Sequence, residues 1–158
     1  MKKLLIFTLL IFAFAKSNPR DSRPTGEQSG KAATAQRSVT GSWKTIDDNT
    51  GEAKSIVNIY EKDGKLYGKV QRILKEERRD QLCTACKGEK KNEPVEGLII
   101  IEGLSKDEEV YEDGTILDPE NGKTYKAKIW LDENNPDILH VRGYVAFFYR
   151  TQDWVRHK

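Results

Sequence analysis

From Gly41 onward, apolar residues recur at every second position far more often than at helical intervals. Thr124 to Leu131 is the clearest stretch: Tyr125, Ala127, Ile129 and Leu131 share one face, and Thr124, Lys126 and Lys128 the other. Such alternation is the signature of a strand buried on one side. Ile138 to Val145 repeats it, with Leu139, Val141, Gly143 and Val145 opposite His140, Arg142 and Tyr144, and Asn134-Asn135-Pro136-Asp137 supplies the turn between the two. Lys54 to Tyr60 and Lys65 to Leu74 flank Lys62-Asp63-Gly64, where Asp-Gly suits the positive φ angles of a tight hairpin. Asp113-Gly114 and Asn121-Gly122 are two more turn signals of this kind.

Gly41 to Asp47, Gly97 to Gly103, Tyr111 to Leu117 and Thr151 to His157 bring the total to eight predicted strands within residues 39–158. The stretch Gly103 to Glu109 is read as a short helix. An antiparallel meander of eight strands can close on itself, which removes its exposed edges and leaves an interior filled by side chains or holding one small ligand. The predicted fold is therefore all-β, a small up-and-down antiparallel barrel, with an open two-sheet sandwich as the competing arrangement.

The rest of the chain divides sharply. Lys2 and Lys3 precede twelve uncharged residues, Leu4 to Ala15, and Ala13-Phe14-Ala15 closes the run as a small-x-small cleavage site. This reads as a signal peptide, too short to span a bilayer, which needs about 20 apolar residues. The 23 residues from Lys16 to Ser38 contain no Val, Leu, Ile or aromatic side chain and are expected to form a disordered linker. No cysteine follows the leader, so no lipid anchor is expected. The protein is expected to be exported, to the periplasm or beyond, with no transmembrane span.

Charge sharpens the picture. The chain carries 27 basic and 25 acidic residues, but residues 39–158 carry 20 and 23, a net −3. A nucleic-acid partner is not expected at that balance.

Gly41-Ser42-Trp43, opening the first strand, resembles the Gly-x-Trp signature that starts the barrel in lipocalins and other calycins. There the tryptophan closes one end and a basic residue from near the last strand lies over it, which the resemblance assigns to Arg150 or Arg156. A broader resemblance covers Gly41 to Trp154. The run Gly-x-Trp-x-x-x-Asp-Asp, Ile59-Tyr60 to Gly68, Cys83-x-x-Cys86, Gly97-Leu98, Ile116-Leu117-Asp118-Pro119-x-Asn121-Gly122-Lys123-x-Tyr125, Val141-Arg142-Gly143-Tyr144 and Arg150-Thr151-Gln152-x-Trp154 is similar to domain of unknown function 2147. The resemblance implies an exported bacterial β-barrel and no particular chemistry. Ala146-Phe147-Phe148-Tyr149 stands where that family tends to have Gly and Pro, which leaves the last hairpin turn unplaced.

Cys83-Thr84-Ala85-Cys86 is the most chemical-looking motif. In an oxidising compartment the plain reading is a disulfide stapling the loop from Lys75 to Glu96. The alternatives are a metal site or a redox centre. A structural zinc site needs four ligands, and His140 and His157 do not complete one by spacing. A thioredoxin-like centre would need a βαβ context. No metal or other cofactor is expected.

Asp118-Pro119-Glu120-Asn121-Gly122-Lys123 reads first as a turn. In a functional reading Asp118 and Tyr125 sit at a barrel rim as hydrogen-bonding groups. Arg142 is either an outer-face residue or, if the polar face turns inward, an anchor for a ligand carboxylate. No nucleophile elbow, zinc helix or phosphate loop occurs, so no catalytic residue is assigned. Adjacent acids such as Asp47-Asp48 point to opposite faces of a strand and read as solvated charges.

The leading expectation is a non-enzymatic barrel binding a small, partly apolar ligand or an envelope component. Its candidate binding residues are Trp43, Asp118, Tyr125, Arg142, Arg150 and Trp154, with Trp43 mainly a plug. The rival is a periplasmic interaction or inhibitor module that uses rim loops and the aromatic run Phe147, Phe148 and Tyr149. An envelope enzyme would require a deep polar pocket joining Asp118, Arg142 and Arg150.

Overall fold

The alternation of the sequence is realised as eight antiparallel strands in a computed structural model, which describes residues 37–158. The leader and nearly all of the linker lie outside the described residues. The strands are β1 (Gly41–Ile46), β2 (Ala53–Lys62), β3 (Lys65–Ile73), β4 (Ile99–Asp107), β5 (Val110–Asp118), β6 (Lys123–Leu131), β7 (Ile138–Val145) and β8 (Phe148–Arg156). Each pairs with its neighbours in sequence, and β1 returns to β8 through Trp43↔Arg156 and Lys44↔Val155, so the sheet is a closed barrel. Closure pairs the two edges that an open sandwich would leave exposed.

Parity decides the inside. Ala127 and Ile129 of β6, Leu139 and Val141 of β7 and Trp154 of β8 are all buried, while Lys126, Lys128, His140 and Arg142 lie on the outer face. The same rule places Val57 and Ile59 of β2 and Leu66 and Val70 of β3 in the core.

Two sequence expectations change here. No helix forms at Gly103 to Glu109; β4 continues to Asp107 and turns at Glu108-Glu109, with Glu108 at φ 51°. Ile101 and Leu104 are three residues apart and yet both fully buried, because Gly103, at φ 73°, sits in a bulge: Leu66 opposes Leu104, and Gly68 opposes Ile101. Asp113-Gly114 is not a turn either. It lies inside β5, where the register with β6 shifts between Tyr111 and Gly114 and Asp113 takes φ 61°. A Cβ on Gly114 would stand 2.4 Å from the Glu102 carbonyl oxygen, so this bulge lets β4 and β5 approach only with glycine.

The other turn signals hold. Asp63 (φ 52°) and Gly64 (φ 72°) form a two-residue hairpin between Lys62 and Lys65, as two successive positive φ angles require. Asn121-Gly122 closes the β5–β6 turn. The last hairpin turn falls at Ala146-Phe147, so β8 begins at Phe148, earlier than Thr151.

The long β3–β4 connection folds back on the barrel with two single 3-10 turns, Glu76–Arg78 and Gly88–Lys90, and a bridge from Leu82 to Pro94. Cys83 and Cys86 are joined in a buried disulfide, so the metal and redox alternatives give way to the staple. The loop leans on the β5–β6 turn: Cys83 Sγ lies 3.4 Å from the Pro119 carbonyl oxygen.

Candidate functional site

The two ends of the barrel are built differently. At the end where β1 begins, Trp43 is fully buried and its indole N–H donates to the Val39 carbonyl at 2.8 Å. The Arg156 guanidinium lies over the indole, 4.1 Å from the ring centroid, so Arg156 and not Arg150 covers the tryptophan. The same guanidinium donates to the Ser38 carbonyl (2.9 Å), the Pro136 carbonyl (2.8 Å) and Asp137 Oδ1 (3.0 Å). It thereby ties the lead into β1, the β6–β7 turn and β8 into one plug. The Lys158 ammonium, with the Arg156 guanidinium beside it, holds the Asp137 carboxyl below the usual aspartate value.

The opposite end is open. A chamber of about 490 Å³ enters the barrel there, and its deep wall is apolar: Val70, Ile100, Leu117, Val141 and Trp154. Gly143 also faces it. A Cβ at that glycine would meet Tyr125 and Ile116 only at ordinary contact distances of 3.6 and 3.7 Å, so the missing side chain leaves room in the chamber.

Four of the six candidate residues line this chamber: Asp118, Tyr125, Arg150 and Trp154. Asp118 also serves its own turn, accepting from the Glu120 backbone N–H (2.9 Å) and the Asn121 side-chain amide (2.8 Å). The same amide donates to the Tyr125 hydroxyl at 3.1 Å, so the phenolic proton remains available to a guest. Arg150 reaches across to Asp48 of the β1–β2 loop with Nε (2.6 Å) and Nη2. Trp154 lies deeper, its indole N–H directed at Gln152 Oε1, 3.5 Å away.

The other two stand elsewhere. Trp43 belongs to the plug. Arg142 projects from the outer face, where it donates to Thr151 Oγ1 at 2.8 Å and lies 4.2 Å from the Tyr149 ring centroid and 4.9 Å from that of Trp130. Its position opposite Val141 and Gly143 in β7 fixes this, and Arg142 does not line the chamber that Asp118 and Arg150 share.

Several rim groups were missed by reading motifs alone. Lys54 of β2 and Glu120 of the β5–β6 turn bridge the mouth at 2.8 Å, with Arg78 adding a second cation at 3.3 Å. The Lys54 hydrogen bond holds the Glu120 carboxyl below its usual value. Asp47 is held low chiefly by the backbone N–H groups of Asn49 and Thr50. Gln152 was legible: it shares parity with Arg150 and Trp154. Nothing local marks Lys54 and Glu120, which are 66 residues apart.

No cluster of three or more potential metal ligands occurs among the described residues. The arrangement offers an apolar recess with hydrogen-bonding and charged groups at its mouth, the composition of a small-molecule site.

Comparisons place the barrel among known proteins. It is similar to protein HP1028 from the human pathogen Helicobacter pylori, a member of the lipocalin family, with 18% identity, 77% of this chain and 84% of that chain covered, and a TM-score of 0.66. At that identity the likeness is one of fold. No curated protein matches the chain. The profile of a family described as uncharacterized proteins conserved in bacteria, domain of unknown function 2147, matches residues 41–156. With seven quoted sequence blocks, a closed eight-strand barrel and that match over most of its length, the chain belongs to the domain of unknown function 2147 family.

Proposed function

We propose that this protein is an exported carrier or sensor that holds one small, partly apolar molecule in its barrel. The observation that carries the reading is the 490 Å³ chamber, open at one end and plugged at the other, with an apolar wall and a polar mouth. A volume in the range of about 300 to 1,000 Å³ suits a single small ligand, and eight-stranded barrels are built to hold one. The lipocalin-family fold neighbour supports the same use. Export is supported by the signal-peptide pattern of Met1 to Ala15 and by the Cys83–Cys86 disulfide, a bond that persists in oxidising compartments. In this reading Trp154 and Val141 contact the apolar body of the guest, and Tyr125 and Arg150 address a polar end at the mouth.

The test is a tryptophan-fluorescence titration against fatty acids, retinoids and envelope lipid extracts. Trp154 lines the chamber, so its emission is expected to shift on filling, and Trp154→Phe is expected to remove that component. Gly143→Leu, which pushes a side chain into the chamber, is expected to abolish the response while the barrel stays folded. A panel that produces no saturable shift in the wild-type protein would remove the binding reading.

A further inference from the structure

The chamber accounts for only part of the tip of the β7–β8 hairpin: Val145, Phe148 and Tyr149 reach its mouth, and Phe147 lines neither concavity. Phe147 is 98% exposed and Phe148 78%, and Val145 and Tyr149 beside them are more than half exposed. Isolated apolar residues on a surface are ordinary, but a contiguous group of this kind marks a contact surface. The tip is held out by its own framework. Val145 pairs with Phe148 across the two-residue turn, and Ala146 adopts φ 50° there. Below it, the Tyr144 and Tyr149 rings are 6.1 Å apart and Arg142 braces Tyr149.

Beside the tip lies a second concavity, a flank groove of about 920 Å³ between the disulfide loop, the β5–β6 turn and the hairpin. Val145 and Ala146 line it together with Lys87, Lys90, Lys123 and Lys126, and no acidic residue does. Lys90 pairs with Glu102. Lys87, Lys123 and Lys126 are exposed and make no ion pair among the described residues. The acids on the mouth side of the hairpin are Asp47, Asp118 and Glu120, which line the chamber, and Asp48; Asp48 pairs with Arg150, and Glu120 with Lys54 and Arg78. One flank of the mouth therefore presents two solvent-exposed phenylalanines next to three unpaired ammonium groups.

This combination fits a lipid surface better than a protein. Lysine is depleted in protein–protein interfaces. At an anionic bilayer, by contrast, aromatic rings enter the boundary between headgroups and acyl chains while ammonium groups meet the phosphates. Contact would be peripheral, because the outward positions of β6 and β7 include Thr124, Lys126, Lys128, His140 and Arg142 where a membrane-spanning barrel needs an apolar band.

We propose that the Phe147-Phe148 tip and the lysine groove beside it dock the barrel on an anionic lipid surface with the chamber mouth at the bilayer. The docking stands by itself; its consequence, that the chamber exchanges its guest directly with the lipid layer, rests on the binding function proposed above.

The experiment is flotation of the purified protein with vesicles of phosphatidylcholine alone or mixed equally with phosphatidylglycerol, without added ligand. Binding is expected on the anionic vesicles, much weaker on the neutral ones, and reduced by added salt. Phe147→Ser with Phe148→Ser is expected to weaken it at least tenfold, by roughly the transfer value of a buried ring. Replacing Lys87, Lys123 and Lys126 with Gln is expected to weaken it about a hundredfold, each ammonium near the surface contributing about fivefold. These side chains are exposed, so thermal unfolding should be unchanged in both variants. The proposal is overturned if wild-type protein ignores anionic vesicles, binds both kinds equally, or binds as before without the two rings. It is equally overturned if the rings mediate a dimer in solution that the serine variant dissociates and vesicles are not bound, the tip then being a contact with a second copy. The fluorescence titration with soluble ligands reads the chamber separately. Docking without uptake removes only the chamber reading, and uptake without docking removes only this one.

Discussion

Replacing Arg156 with Met isolates the work of the guanidinium at the plugged end. Methionine retains an apolar stem over the Trp43 indole but donates no hydrogen bond. The lost cation–π contact, at 4.1 Å and with the arginine side chain only 11% exposed, is worth about 1 kcal/mol. The bonds to the Ser38 and Pro136 carbonyls add about 1 kcal/mol each once water has partly replaced them. The Asp137 pair adds little, since Asp137 also has Lys158 and the site is near solvent. The expected loss is therefore about 3 kcal/mol. Arg156→Lys keeps the charge but can serve only part of this acceptor set, and should lose roughly half as much. Urea unfolding followed by tryptophan emission reads the difference as a midpoint shift of about 1 to 3 M for the methionine variant, at an unchanged slope. A loss below about 0.5 kcal/mol for Arg156→Met would refute the clamp, because that is the scale of an ordinary surface substitution. Ligand affinity at the far end of the barrel should be unaffected by either change.

Gly122 combines φ 67° with a Cβ position 1.9 Å from the Ala85 carbonyl oxygen, whereas Gly51 has φ 72° and open space around it. In thermal unfolding, Gly51→Ala should cost about 1 to 2 kcal/mol, the left-handed backbone penalty alone, and Gly122→Ala distinctly more, because the disulfide loop must also move. Removing the disulfide by Cys83→Ser with Cys86→Ser should lower stability by about 2 kcal/mol, the value for a very short closed loop, and reductant should lower the wild-type midpoint to match. Acid should weaken the mouth. The Lys54 hydrogen bond lowers Glu120 from its ordinary 4.5, so the stabilisation is complete above that pH and is lost as pH falls through the lower folded value. Glu120→Gln should flatten the stability–pH curve in that window, as measured by chemical unfolding across pH 3 to 6 (about one unit either side of the carboxylate range); an unchanged acid limb would contradict the bridge.

The fold was legible wherever parity ran unbroken. β6 and β7 pair without a register shift, and every residue assigned to their apolar face from the pattern points inward or toward the chamber. Reading failed where a bulge inserts a residue. The stretch Gly103 to Glu109, expected as a short helix, continues β4 past a bulge in which Gly103 absorbs an extra position, and Asp113-Gly114 mimics a hairpin turn because a bulge uses the same left-handed backbone. Both devices depend on the partner strand, which no local window contains. The aromatic run at Phe147 to Tyr149 was ambiguous for a related reason: a buried strand and an exposed rim have the same composition.

The chamber shows where such reading stops. Arg142 and Arg150 are both cationic residues of C-terminal strands, yet one lies on the outer wall and the other at the mouth. The difference follows from strand parity and from distance to the open end, and the second is fixed only by barrel closure. Charge pairing adds a further layer. Lys54, Arg78 and Glu120 come from three separate elements, and Arg150 meets Asp48 across 102 positions of sequence. These pairs occupy the cations inside the mouth, while the lysines on the flank keep theirs open. On the proposed reading, a polar guest at the mouth would compete with existing ion pairs, whereas an anionic surface at the flank would not. The asymmetry matches the two proposed roles, a guest inside and a surface outside, and it arises from where the loops pair rather than from how many charges the chain carries.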